Sequence, residues 1–135
     1  MQARRDWWQV ETGWTLIELT IVISLITVIS AIALVSYRTA ITRSQEAVLK
    51  ENLFRMRDAI DQYYADKTQY PPTLDALVTE GYLRSIPQDP FTNSASTWQT
   101  VTADFDPANP TAVGIYDVKS GSDRVALDGT LYAEW

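Results

Sequence analysis

Residues 14–36 read WTLIELTIVISLITVISAIALVS, an apolar run of 23 residues with a single charge, Glu18. At the rise of an α-helix the run covers about 34 Å, the thickness of a bilayer core. Ile, Val and Thr dominate it, and these are not the strongest helix formers in water. In lipid the backbone must satisfy its own hydrogen bonds, so a helix is the form the run predicts. The run reads as a membrane segment. Before it stands a short polar leader, residues 1–13, MQARRDWWQVETG, whose only bases are Arg4 and Arg5.

Two ordinary readings of this segment compete with a special one. A secretory signal peptide would use Arg4 and Arg5 as its basic region and Ala31-Ile32-Ala33 as a cleavage site. A plain signal anchor needs only the apolar run. Flanking charge does not orient the segment, because Arg4 and Arg5 precede it while Arg38, Arg43 and Lys50 follow. Glu18 discriminates further. A carboxylate four residues into an apolar run is costly in lipid, and such a group is a functional-site hypothesis by default.

Past the run the helix is expected to continue. Leu49, Leu53, Met56, Ile60, Tyr63 and Tyr64 recur at three- and four-residue steps, while Lys50, Glu51, Arg55, Arg57, Asp58 and Asp61 occupy the other faces. No Gly or Pro lies between Gly13 and Pro71. A helix from Trp14 to about Lys67 would be roughly 80 Å long. Tyr70-Pro71-Pro72 cannot prolong it. Thr73 can cap a short helix over residues 74–80, with Asp75 in its first turn and Gly81 as terminator. After a proline-punctuated connector, residues 98–102, 113–118 and 124–127 read as three short strands. The expected class is α+β: a long N-terminal helix, membrane-spanning at its start, packed on a small three-stranded antiparallel sheet. The segments are leader 1–13, membrane half 14–36, amphipathic half 37–67 and head 68–135.

Composition narrows the chemistry. The 135 residues include no His and no Cys, which removes imidazole catalysis, thiol nucleophiles and disulfides. The net charge of −6 lies wholly in the second half, since residues 1–65 hold seven acids and seven bases. A second half, residues 66–135, whose only bases are Lys67, Arg84, Lys119 and Arg124 is a poor nucleic-acid binder. No glycine-rich phosphate loop or nucleophile motif is present, so an enzyme is not expected.

Gly13-Trp14-Thr15-Leu16-Ile17-Glu18-Leu19 resembles the processing site of type IV pilin-like proteins. The resemblance implies cleavage after Gly13 by a prepilin peptidase, N-methylation of Trp14, and Glu18 as the acid at the fifth mature position. Trp14 replaces the more usual Phe, and the Pro that many relatives carry near Val35 is missing. Tyr70-Pro71, Leu77, Gly81-Tyr82-Leu83, Ile86-Pro87 and Asp89-Pro90-Phe91 are similar to the connector of the G-type major pseudopilins of type II secretion systems. The implied function is structural: a homopolymer forming a short periplasmic filament that drives folded proteins through the outer membrane. The implied partners are minor pseudopilins and an inner-membrane assembly platform. The implied location is the inner membrane, single-pass, with the head in the periplasm. A pilin of another type IV-like filament, or an anchored pilin-like binding module, is the alternative. The resemblance also implies a calcium ion in the C-terminal loop, with Asp123 and Asp128 as the best-matching ligands and Asp117, inside a strand, as a third.

Overall fold

A computed structural model describes residues 14–104, 107, 108, 110 and 113–135. The leader, with the Gly13 side of the expected cleavage point, lies outside them. Helix α1 spans Trp14–Lys67, helix α2 Leu74–Thr79, strand β1 Gln99–Thr102 and strand β2 Ile115–Lys119, with a last 3-10 turn at Tyr132–Glu134. The chain divides into two compact units, Met1–Ala40 and Ile41–Trp135.

The described part of the first unit is helix. Its large apolar side chains from Leu16 to Val35 are 45–71% exposed, so no described part of their own chain covers them. This is the one helix among the described residues long and apolar enough to cross a membrane. Its hydroxyls fold back onto the helix. Thr20 donates to the Leu16 carbonyl at 2.6 Å, Ser24 to Thr20 at 2.7 Å and Thr27 to Ile23 at 2.7 Å. Such bonds satisfy polar side chains where no water is at hand.

In the second unit the expected stripe is the core. Leu49, Leu53, Met56, Ala59, Ile60 and Tyr63 are buried against Leu77, Phe91, Trp98, Ile115, Val118, Ala126 and Tyr132. Tyr64, on the stripe's edge, is half-buried and stacks on Tyr70 at 4.5 Å. Helix α1 ends at Lys67, where Thr68 turns to a φ of +57° ahead of the two prolines. The α2 cap is as expected: the Thr73 hydroxyl accepts from Ala76 N–H at 3.2 Å, and Gly81 adopts φ +85°. Tyr82 and Leu83 then both donate to the Leu77 carbonyl at 2.9 Å. Among the described residues every buried side-chain nitrogen and oxygen has a partner.

The sheet differs from expectation. It has two strands, β1 antiparallel to β2 with Thr100 opposite Val118, and not three. Residues 124–127 form no strand, only a single bridge from Val125 to Leu131. The cause is local. Asp128-Gly129 makes a tight turn in which Ala126 N–H donates to Thr130 at 2.7 Å, and Asp128 accepts from the Thr130 N–H and hydroxyl. The segment therefore pairs across its own turn, and Tyr132 N–H closes on Arg124 O at 3.1 Å. The two real strands also begin a little later than expected. The Trp98 indole is tied to Pro87 O at 2.8 Å, and Gly114, at φ +140°, delivers Ile115 N–H to Pro71 O.

Candidate assembly site and C-terminal loop

Trp14 opens α1 and Glu18 follows it by four residues, which puts both on one face, one turn apart. Glu18 is exposed, in a shallow notch with Ile17, Ile21 and Val22. It has no hydrogen-bond or ion partner among the described residues. An acid flanked by three aliphatic side chains, on a stretch of α1 whose large apolar side chains are all exposed, is open to a cation from outside its own chain.

The acids of the head are arranged differently. Asp117, on β2, accepts from Arg57 Nε at 2.7 Å and from Val118 N–H at 2.7 Å. Asp128 is held by Thr130, whose hydroxyl and N–H lower its pKa below the usual carboxylate range. Asp123 is exposed in the turn after β2. Among the described residues no three Asp or Glu side chains gather into a group that could hold a metal ion. Calcium wants six to eight oxygens with their lone pairs turned to one point. Of the three expected ligands, one already serves a guanidinium and another caps its own turn. As they stand, these residues do not fit the ion.

Three polar residues to which the sequence assigns no such role hold the loop. Asp89, wholly buried, accepts from Phe91 N–H at 2.8 Å and pairs with the Ser120 hydroxyl at 2.5 Å. Glu46 accepts from Leu127 N–H at 2.8 Å and from the Tyr132 hydroxyl at 2.9 Å. Arg57 reaches Val118 O and Trp135 O as well as Asp117. The one sequence signal for Glu46 is its place three residues before Leu49, on the border of the apolar stripe.

Tyr132 supplies a pH test of this packing. Burial first, then its hydrogen bond to Glu46 and that carboxylate's charge, push its hydroxyl up to about 12; Arg124 opposes and Asp128 adds. The folded state thus prefers the protonated phenol. Its contribution is complete below the unfolded value near 10 and is lost as pH rises through about 12. Alkaline titration of the full chain in detergent should show loss of head structure across that window. Tyr132→Phe should flatten that part of the profile, and an unchanged profile would deny Tyr132 the role.

No protein-family model matches the chain, and no solved structure matches it. The chain is 36% identical over 83 residues to the fimbrial protein EcpC of Eikenella corrodens, across 58% of this chain and 54% of that protein. It is 27% identical over 109 residues to the type II secretion system core protein G of Aeromonas hydrophila, across 69% and 73%. With the core protein G of Escherichia coli it shares 25% identity over 126 residues, across 82% and 80%. The match thus spans about half the length of the fimbrial protein and roughly three quarters of the two secretion proteins.

Proposed function

We infer that this chain is a type IV pilin-like protein of the G-type pseudopilin group, and that it works as a structural subunit of the type II secretion pseudopilus. The observation that carries the reading is the pairing of a bare apolar helix, with Glu18 at its fifth position, and an acidic head built on the C-terminal half of the same helix. Similarity to secretion-system core proteins over most of the chain supports it. It is a subunit and not an enzyme. The precursor sits in the inner membrane as a single-pass protein with its head in the periplasm. Cleavage between Gly13 and Trp14 by the prepilin peptidase removes the leader, and Trp14 is N-methylated. The subunits then leave the bilayer and polymerise, helices inward and heads outward, together with minor pseudopilins on the inner-membrane assembly platform. Exposed apolar side chains that lipid covers in the precursor are covered by neighbouring helices in the filament. Growth of this filament drives folded proteins through the outer membrane.

Co-expression with a type II secretion assembly machinery and its peptidase tests the reading. Short filaments containing a mature chain that begins at Trp14 are expected. Gly13→Val should leave a full-length precursor in the membrane and no filaments, because a side chain there blocks close approach to the scissile carbonyl. A mature N-terminus elsewhere, or no filament from the wild-type chain, would count against it.

A further inference from the structure

We propose that Arg57 does in this chain what a bound divalent cation would do, closing the C-terminal segment onto helix and sheet, so that the head is stable without calcium. The half-buried guanidinium donates from Nε to Asp117 Oδ1 at 2.7 Å, and from Nη2 to Val118 O at 3.0 Å and Trp135 O at 2.8 Å. One fixed cation thereby gathers a carboxylate and two carbonyl oxygens from β2 and from the end of the described chain. These are the oxygen types calcium takes. The planar fork of arginine holds them with its own geometry, and its charge repels a second cation at the same point. Two further clamps need no ion. Glu46 on α1 holds Leu127 N–H and the Tyr132 hydroxyl, and buried Asp89 holds Ser120 at the start of the turn. The aromatic end is stacked on the same frame, with Tyr132 3.9 Å from Phe91 and Lys50 4.3 Å over the Trp135 ring. Asp117 and Asp128 each accept two bonds through Oδ1 from within the fold, which fixes their carboxylates on protein donors, and Asp123 is the exposed one of the three expected ligands.

The test is thermal unfolding of the full chain in detergent, followed by near-ultraviolet circular dichroism, in 5 mM calcium chloride and in EGTA. The expected difference in midpoint is below about 1 °C, whereas a site of about 10⁻⁴ M affinity would raise it by roughly 10 °C. Arg57→Met keeps the aliphatic stem and removes the fork, and should lower the midpoint by roughly 5–10 °C in either solution. Arg57→Lys, a charge without the fork, should recover only part of that. Calorimetric titration of the wild-type chain with calcium chloride needs no variant to fold, and should show no binding tighter than about 1 mM. A midpoint raised by calcium and no longer raised in Asp123→Ala or Asp128→Ala would overturn the proposal. An Arg57→Met chain that melts with the wild type would do so too.

Discussion

Gly121→Ala is expected to cost the head most of its stability. A Cβ on residue 121 would overlap the Thr97 carbonyl oxygen outright, and would lie 2.8 Å from the carbonyl carbon and 3.0 Å from the Thr97 Cβ. The first two are backbone atoms, so no side chain can rotate out of the way. Thr97 is itself held, its hydroxyl 2.5 Å from that of Thr92, and its neighbour Trp98 is tied through the indole to Pro87. On the other side the turn cannot swing outward. Ser120 and Ser122 flank Gly121 and are buried, and Ser120 holds the Asp89 carboxylate. Relief of the clash must therefore break either the Asp89–Ser120 pair or the 92–97 turn, each near the core. Forced overpacking of this kind costs on the order of 3 kcal/mol or more, and for a head of this size the midpoint should fall by about 15 °C. Gly129 is the control. It sits at φ +89° with nothing within 4 Å of the point where a methyl would stand, so Gly129→Ala meets only backbone strain of about 1 kcal/mol. Thermal melts of the two variants beside the wild type decide the matter. Equal midpoints for both would mean that the 97–121 contact is not tight in solution.

What could be read in advance was whatever depends on neighbours close along the chain. The long helix follows from residues 14–70 lacking Gly and Pro, and its buried face from the steps between Leu49 and Tyr63. The Thr73 cap and the Gly81 terminator are likewise local chemistry. The third strand failed for the complementary reason. Residues 124–127, with Val125 and Leu127 between two turn-forming stretches, read as a short strand, but such a run does not say whether the partner is a sheet or the far side of the chain's own turn. Asp89 was legible as part of a proline-rich connector and not as a buried carboxylate. Its partner Ser120 lies 31 residues away, and no spacing rule joins them. Arg57 read as one charge on a solvated helix face, whereas its acceptors are 60 to 78 residues further on. The same limit governs the acids of the C-terminal loop. The family resemblance implied a shared ion there, and no spacing rule could show that Asp117 and Asp128 each accept from a donor within the fold.

Glu18→Ala should leave processing and membrane insertion intact and abolish filament assembly. The junction between Gly13 and Trp14 lies a full turn before the changed residue, and alanine only increases the apolar character of the segment, so the first two steps lose nothing they need. Assembly is different. The proposed cleavage would create an α-amino cation at Trp14, one turn and about 6 Å before Glu18 along the helix. Inside a bundle of apolar helices the dielectric is low, and an unpaired amino group there costs about 3–5 kcal/mol when its partner is removed. Because Glu18 is exposed in a notch lined by Ile17, Ile21 and Val22, with no ion partner among the described residues, its carboxylate is available to the amine of an incoming neighbour. The pair would neutralise both charges as the subunit leaves lipid, and would set the axial step between subunits. Repeated at every contact, a loss of that size is enough to stop polymerisation. Glu18→Asp, which keeps the charge with a shorter reach, should assemble weakly, and Glu18→Gln should fail like alanine. Immunoblots of sheared filaments and of membrane-bound mature chain separate the outcomes. Mature Glu18→Ala chain accumulating in the membrane without filaments is the expected result. Normal filaments from that variant would mean that the carboxylate merely reaches for lipid headgroups near the helix start and takes no part in assembly.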